Sequence, residues 1–201
     1  MEFSNENYFV WNTKINRGKS GNMVPKKDVV CVWQKAAKKE GLRFGVSEHL
    51  AASYNWFQPS RGADKTGALV GVPYDGNNPQ FEDLYHTKAD SADIKNWLTN
   101  NPAWQKEWFN DVKELVEMYH PDLLYSDSKL PFDEVGRSML ANYYNQNLKN
   151  RARIDAVYTC KEPSMGKWAQ DVERGVLDSI SPFTWQTDTS IGDLYYRKGQ
   201  K

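Results

Sequence analysis

Segments with a strand pattern alternate with segments with a helix pattern along the chain. The clearest helix is NPAWQKEWFNDVKELVEMYH, in which apolar residues recur every three or four positions from Trp104 to Tyr119. The apolar segment DLLYSD follows it directly, and further strands are predicted in LRFGVSEHL and RIDAVYTC. Because alternating strands and helices are typical of βαβ units, the sequence predicts an α/β fold with a parallel sheet of four or five strands.

The remaining segments complete this prediction. PKKDVVCVWQKAAKKEGL favours a helix whose first turn includes Pro25 and Asp28 and which ends at Gly41, with an apolar stripe formed by Val29, Val32, Trp33 and Ala36. DEVGRSMLANYYNQNLKN is predicted to be another helix, and residues 175–188 a short strand with a loop. Residues 51–100 are rich in aromatic residues, glycine and proline and are predicted to form one long, functional loop.

Composition excludes several classes of protein. The formal net charge is zero, so there is no electrostatic case for a nucleic acid or an anionic membrane as partner. No apolar run approaches the roughly 18–20 residues that cross a bilayer, and the first residues show no signal-peptide pattern. Two cysteines make no disulfide scaffold, and no Cys/His spacing suggests zinc. Eight tryptophans, eleven tyrosines and eight phenylalanines are many for a polar chain, and aromatic faces of this kind stack on sugar rings.

Polar residues stand where three of the predicted strands end. Ser47, Glu48 and His49 end one strand, Asp127 ends the next, and Cys160, Lys161 and Glu162 follow a third. In parallel α/β sheets the chemistry lies at the carboxyl ends of the strands, so these side chains should meet at one rim. Asp127 is therefore predicted to be a functional group and not an ordinary strand end.

A pair of carboxyl groups at such a rim suits the hydrolysis of a glycosidic bond. One carboxyl group attacks the anomeric carbon or activates water, and the other protonates the leaving oxygen. Asp127 suits the first role because a short side chain on a rigid strand end has little freedom to move. The second acid is expected from a later loop, which offers Asp171, Glu173 and Asp178. The longer, more mobile side chain of Glu173 suits a proton shuttle, and Arg174 and Gly175 after it favour a turn that aims it inward, but the spacing alone does not choose among the three acids.

Four stretches carry a close resemblance to the α-L-fucosidases of glycoside hydrolase family 29. They are FVWNTK, VPKKDVVCVWQKAAKKEGLRFGVSEHLAASYNWF, YHPDLLYSDS and VERGVLDSISPFTWQTDTSIGDLYYR, and together they cover nearly the whole chain. The resemblance implies a partial (β/α)8 TIM-like barrel, with residues 1–201 as a single, incomplete catalytic domain. It also implies retaining removal of terminal L-fucose from an oligosaccharide or glycoconjugate, without metal or cofactor.

The resemblance also implies roles for individual residues. Asp127 falls at the position of the family's nucleophile, and Glu173 falls where one subfamily carries the acid/base. Glu48, His49 and Trp56 lie in the segment whose counterparts line the fucose pocket, and Trp185 stands near it. Alternatives stay open: His49 as a hydrogen-bonding group of the rim, Trp185 as a core residue, and Arg174 as a partner either of Glu173 or of a strand-end carbonyl. The sequence predicts neither an oligomeric state nor a location in the cell.

One departure from the family leads to a second hypothesis. Ser4 and Asn5 align with a pair of histidines that bind sugar hydroxyls in the family. Together with the small number of strands, this predicts a truncated barrel of low activity. A fucose-binding remnant that holds the sugar without cleaving it is the alternative function, and an unstable product of a broken gene is a third reading.

Overall fold

The computed structural model describes residues 2–3, 11–15, 26–90, 93–190, 192 and 198–199. Ser4 and Asn5 lie outside these residues. In chain order the helices and strands are β1 Glu2–Phe3, α1 Val29–Lys39, β2 Gly45–Glu48, α2 Leu50–Trp56, α3 Glu82–Tyr85, α4 Pro102–Tyr119, β3 Leu123–Ser126, α5 Glu134–Arg151, β4 Val157–Cys160, β5 Ala169–Asp171 and β6 Trp185–Gln186.

The strands form one parallel sheet with the order β1-β2-β3-β4-β5-β6. Within the described residues β1 and β6 are the two edges, so the sheet is open. The predicted α/β fold and partial barrel are confirmed. Two of the six strands, β1 and β5, were not expected, because strands of two and three residues are too short to show a periodic pattern.

Helix α4 forms where its apolar spacing predicts it. The Asn101 carboxamide caps the first turn by accepting from the Ala103 N–H at 2.9 Å, and Pro102 occupies the first helical position. His120 ends the helix with a left-handed backbone (φ 45°). The side chains that face the sheet are fully or almost fully buried: Trp104, Trp108, Val112, Leu115, Val116 and Tyr119. They form the core together with Val46, Leu124, Tyr158 and the inner face of α5.

Helix α1 forms in the predicted segment, but Asp28 caps it from outside and does not lie in its first turn, and the predicted apolar stripe is on the wrong face. Val30 is the buried residue of this helix, whereas Val32 and Trp33 are 48% and 61% exposed. The inner face includes a polar residue, Gln34, whose side-chain amide donates to the Tyr119 carbonyl. A polar residue that bonds a helix end from inside the protein is invisible to an apolar periodicity.

The prediction of one long loop over residues 51–100 is also wrong in part. Its first residues belong to α2, a helix whose residues from Leu50 to Asn55 are all buried. Gln58 then ties the following loop together: its side-chain amide donates to the carbonyls of Tyr54 and Thr87 and accepts from the Ala89 N–H. This segment is therefore an ordered layer over one end of the sheet.

The strands sort their side chains by a two-residue alternation. Glu48 in β2 contacts Trp108 of α4 and so faces the helical layer, whereas Tyr125 in β3 reaches across the other face of the sheet to Asp171. Ser47 and Tyr125 are paired in the sheet register and share that second face. None of the helices in the described residues has the length and apolar character needed to cross a membrane.

Candidate active site

A cavity of about 390 Å³ lies where β2, β3 and β6 end. Its lining residues are mostly polar: Ser47, His49, Tyr125, Asp127, Gln186, Thr187 and Asp188. A larger cavity, of about 760 Å³, runs along the outer side of α4 and includes Glu107, Asp111 and Glu114. The smaller cavity is the better candidate because it lies at the carboxyl ends of the strands and contains Asp127.

Asp127 follows the last residue of β3, and its backbone N–H donates to the Glu48 carbonyl at 3.1 Å. This bond extends the β2–β3 pairing by one residue and fixes the backbone from which the carboxylate projects. Its Oδ1 atom accepts from the Tyr125 hydroxyl at 2.7 Å and lies 2.5 Å from Lys161 Nζ. Its Oδ2 atom contacts His49 Nε2.

These donors decide the charge of Asp127. Burial alone would raise its pKa, but the hydrogen bonds from Lys161 and Tyr125 and the charge of His49 outweigh burial and lower the pKa below its usual value. Asp127 is therefore an ionised carboxylate near neutral pH. A carboxylate held by fixed donors at a strand end can act as a nucleophile.

Lys161, which follows β4, joins Asp127 to Glu173. Its ammonium nitrogen lies 2.5 Å from Asp127 Oδ1 and 3.0 Å from Glu173 Oε2. These two distances limit the separation of the two carboxylate oxygens to about 5.5 Å, and the carboxyl groups of retaining glycosidases lie about 5–5.5 Å apart. Two carboxyl groups with that spacing can divide nucleophilic attack and proton transfer between them.

The turn that carries Glu173 is bonded to the strand beside it. Arg174 has a left-handed backbone (φ 54°), and its N–H donates to the Asp188 carbonyl at 2.7 Å. The Glu173 side chain is 45% exposed and does not line the cavity, and its contact with Lys161 is what connects it to Asp127. The Arg174 side chain is exposed and contributes to the turn through its backbone, so the structure does not bring its guanidinium into the cavity.

Two tryptophans extend outward from His49. The His49 and Trp56 rings meet edge to face with centroids 5.9 Å apart, and Trp56 meets Trp97 in the same way at 4.8 Å. Trp56 is 38% exposed and Trp97 is 52% exposed. Trp56 therefore lies behind His49 and steadies its ring, and an aromatic surface continues from it away from the cavity.

The structure does not bring Glu48 into the cavity. Its side chain is buried between β2 and α4, where Oε2 accepts from the Trp108 indole N–H at 3.3 Å and from the Ala51 N–H at 3.2 Å. Burial raises the pKa of Glu48, and hydrogen bonds from Ser126 and Trp108 oppose this. Glu48 follows Ser47 in β2, so its side chain lies on the opposite face of the sheet from Ser47 and Tyr125, which line the cavity.

The other predicted residues are distributed around the cavity. Trp185 begins β6 and is 36% exposed, next to Gln186, which does line the cavity. Of the two other candidate acids, Asp178 is exposed and outside the cavity. Asp171 is 2% exposed, and its Oδ2 lies 2.8 Å from the Tyr125 hydroxyl.

Sequence reasoning gave no role to Tyr125, Lys161 and Asp188, which the structure places in the cavity or against Asp127. The signal for Tyr125 was available, because a residue two positions before Asp127 in a strand faces the same side of the sheet. Lys161 is predicted at the rim without a role, and its position between two carboxylates follows from the place of β4 between β3 and β5 in the sheet. Among the described residues no three His, Cys, Asp or Glu side chains are grouped as ligands of a metal ion.

Comparison with known families gives one match that covers almost the whole chain. The sequence profile described as "Alpha-L-fucosidase" matches residues 4–201. No curated protein sequence matches significantly.

Solved structures of low sequence identity share the fold. A Thermotoga maritima alpha-fucosidase in complex with fucose is 19% identical with a TM-score of 0.55, and another alpha-L-fucosidase is 20% identical with a TM-score of 0.58. Each match covers 92% of this chain and 35% of the solved chain. The alpha-L-fucosidase AlfC from Lactobacillus casei, in complex with alpha-L-fucose product, is 13% identical with a TM-score of 0.50, over 92% of this chain and 53% of that one. The chain thus spans about a third to a half of the length of these structures.

Proposed function

The chain belongs to the alpha-L-fucosidase family, and we propose on this basis that it hydrolyses terminal α-L-fucose from fucosylated oligosaccharides or glycoconjugates. The solved fucosidases with fucose or fucose product bound support the choice of sugar. The observation that carries the proposal is the pair Asp127 and Glu173, held together by Lys161. The spacing of the pair favours the retaining, double-displacement route.

Asp127 is the nucleophile in this mechanism. It is ionised because Lys161 and Tyr125 lower its pKa, so it can attack C1 of fucose without first losing a proton. The C1–O bond to the aglycone breaks as the bond from Asp127 forms, which gives a covalent fucosyl-enzyme. The charge on Asp127 disappears in this step, and Lys161 is then left with Glu173 as its charged partner.

Glu173 is the acid and then the base. In the first step it gives its proton to the departing oxygen, and in the second it takes a proton from the water that attacks C1. The exposed position of its side chain provides access for both the aglycone and water. An ion pair with Lys161 requires ionised Glu173, so this contact fits the second step, in which Glu173 acts as the base.

His49 and Trp56 complete the proposed sugar site. His49 lines the cavity and contacts Asp127, and its Nε2 is placed where it can exchange that contact for a fucose hydroxyl. Gln186 and Asp188 supply polar groups on the opposite wall. Glu48, Arg174 and Trp185, which were also predicted to bind the sugar, do not line this cavity, and their contact with the sugar stays a prediction.

Fucose binding without cleavage is the second candidate function. It is favoured by the open sheet of the described residues and by the solvent exposure of Glu173, both of which leave one side of the cavity to water. Water competes with an acid for its proton and weakens electrostatic stabilisation of a transition state.

Hydrolysis of a chromogenic α-L-fucoside by the purified chain tests the proposal. Asp127→Ala should abolish turnover, and Glu173→Ala should lower it by about 10²–10⁴-fold on substrates with a poor leaving group. On an aryl fucoside with an acidic leaving group, Glu173→Ala should lose much less, because that oxygen needs little protonation. Asp178→Ala is the matched control, because Asp178 is an exposed acid of the same segment whereas Lys161 pairs with Asp127 and Glu173, and it should leave turnover unchanged.

Two outcomes separate the candidates. Turnover that persists in Asp127→Ala overturns the assignment of the nucleophile. Equilibrium binding of L-fucose by a chain that releases no product supports the second candidate and overturns the first.

A further inference from the structure

One phenolic hydroxyl lies between two carboxyl groups on the inner face of the sheet. The Tyr125 oxygen is 2.7 Å from Asp127 Oδ1 and 2.8 Å from Asp171 Oδ2. Tyr125 belongs to β3 and Asp171 to β5, two strands along in the sheet. Inward side chains from alternate strands meet in layers when a parallel sheet curves into a barrel, and this layer places Asp171 behind the nucleophile.

The three oxygen atoms need more hydrogens than Tyr125 can supply. Each contact has the length of a hydrogen bond between oxygens, and each such bond needs one hydrogen. A phenol carries a single hydrogen, so it can donate to only one of the two carboxyl groups. With both carboxyl groups ionised, one of the two contacts would bring a lone pair against a negative charge. A second hydrogen must therefore lie on Asp127 or on Asp171.

The surroundings of Asp127 and Asp171 differ, and the difference indicates which of the two carboxyl groups carries the second hydrogen. Asp127 has Lys161 and His49 against it, both of which stabilise a negative charge. Asp171 is 2% exposed, and within the described residues its Oδ1 atom is buried without a hydrogen-bond partner. Burial of an ionised carboxylate that has only a share of one hydrogen-bond donor costs free energy, and a neutral carboxyl group at the same position avoids that charge burial.

We propose that Asp171 is a positioning residue that donates a hydrogen to the Tyr125 hydroxyl oxygen and thereby commits the hydrogen of Tyr125 to Asp127. The order of bonds is Asp171 Oδ2–H to Tyr125 Oη, and Tyr125 Oη–H to Asp127 Oδ1. Asp171 acts only through Tyr125 and touches neither the sugar nor the reacting carbon. This inference rests on the proposed function for the role of Asp127 as nucleophile, but the arrangement of hydrogens is a property of the resting site.

The arrangement strengthens the donor that Asp127 depends on. A hydroxyl that accepts one hydrogen bond becomes a better donor in the next, because the two bonds polarise each other. A donor fixed in this way limits the rotation of the carboxylate. Among the described residues, the charged groups around Asp127 are His49 after β2 and Lys161 after β4 in direct contact, Glu173 on the far side of Lys161, and Asp188 after β6 in the same cavity.

The first test measures the pKa of the Asp127 carboxyl by carbon-13 NMR on the resting chain, with the signal assigned from Asp127→Asn. In Asp171→Leu we expect this pKa to rise by about half a unit, because Tyr125 loses the bond that polarises it. In Asp171→Asn it should stay close to the wild-type value, because the carboxamide can still donate to the Tyr125 oxygen. In the Tyr125→Phe background Asp171→Leu should have no further effect, as required of a residue that acts through Tyr125.

The direction in which the pKa of Asp127 shifts in Asp171→Leu distinguishes a protonated Asp171 from an ionised Asp171. If Asp171 is ionised it competes with Asp127 for the hydrogen of Tyr125, and its removal lowers the pKa of Asp127. A fall, or no change, overturns the proposal.

A second test does not depend on how well the leucine variant folds. The infrared difference spectrum between the wild-type chain and the isosteric Asp171→Asn variant near neutral pH should contain one protonated carboxylic acid band, because the signal of other protonated carboxyl groups such as Asp111 cancels. A difference spectrum without this band overturns the proposal. Both measurements use the protein without substrate, so failure to cleave a fucoside would contradict the proposed function while leaving this inference to stand or fall on its own results.

Discussion

Lys161 and Glu173 form an ion pair of 3.0 Å across the ends of β4 and β5. Burial alone would raise the pKa of Asp127, and the hydrogen bond from this same ammonium group contributes most to lowering it. One side chain therefore sets the charge of the proposed nucleophile and the position of the proposed acid/base. Its removal should be visible in the pH dependence of catalysis.

Lys161→Met should move the acid limb of the kcat/KM profile to higher pH by about one unit. Asp127 must be ionised to attack, so activity falls as the pH falls through its pKa, and a raised pKa brings that fall to a higher pH. Lys161→Arg keeps a cation at the site and serves as the matched control, with an acid limb close to that of the wild-type chain. An acid limb that does not move in Lys161→Met contradicts the role given to this residue.

Trp56→Ala should weaken substrate binding without removing the carboxylate pair. Trp56 holds the His49 ring edge to face at 5.9 Å, and contacts of this kind contribute about 0.5–1.5 kcal/mol. We expect KM for a small aryl fucoside to rise by up to about tenfold with a smaller change in kcat. Trp97→Ala is the matched control, because Trp97 contacts Trp56 and stands one ring farther from His49. Equal effects of the two substitutions would show that Trp56 does not act through His49.

The rule that chemistry lies at the carboxyl ends of parallel strands was enough to select Asp127 from sequence, because DLLYSD is a short apolar strand with one acid directly after it. The same rule was too coarse for Glu48, since it selects a strand end without saying which face a side chain occupies. The two-residue alternation corrects this and would also have selected Tyr125.

Other features of the site depend on distances between strands that are far apart in sequence. Asp171 contacts Tyr125 although β4 lies between their strands, and Lys161 bridges two carboxylates that follow different strands. The inner face of α1 was misread because Gln34 bonds the end of α4 from inside. Helix α2 was missed because its buried residues include Ser53 and Asn55, polar side chains that break the apolar pattern.

Asp122 stabilises the end of the sheet opposite the cavity. Its carboxylate accepts from the Phe44 N–H at 2.7 Å and lies 2.6 Å from Arg151 Nη1, and its side chain is only 11% exposed. Asp122→Ala should lower the free energy of unfolding by about 2 kcal/mol, because it leaves the Phe44 N–H without its acceptor and removes the nearer of the two carboxylates beside Arg151. Urea denaturation followed by circular dichroism measures this change.

The pH dependence of this contribution has a definite sign. Burial alone would raise the pKa of Asp122, but the bonds from Phe44 and Arg151 lower it below its unfolded value. Its contribution is therefore present above the unfolded pKa and disappears as the pH falls through the folded pKa. Asp155→Ala removes a more exposed acid of the same cluster and should cost less. Equal losses in the two variants would contradict the importance of the buried bonds.

Asp111 makes the protein less stable in alkaline solution. It lies on α4, is 1% exposed, and within the described residues its Oδ2 atom is buried without a hydrogen-bond partner. Burial is the main cause that raises its pKa to about 8, and the charges of Glu107 and Glu114 add to it. The carboxyl group is therefore protonated at neutral pH in the folded chain and ionised in the unfolded chain, where its pKa is about 3.9.

Between those two pKa values the folded chain binds more protons than the unfolded chain, so stability falls as the pH rises. Asp111→Asn keeps the shape of the side chain and cannot ionise, so we expect it to be more stable than the wild-type chain above pH 8, by about 2–4 kcal/mol. Near pH 4 the two proteins should unfold at similar denaturant concentrations. Glu107→Gln should recover only a small part of the difference, because the charge of Glu107 is secondary to burial. If the free energies of unfolding of the wild-type chain and Asp111→Asn change in parallel from pH 4 to pH 9, the prediction is wrong. The Asp111 carboxyl group is then solvated in the folded chain, and its ionisation does not destabilise the fold.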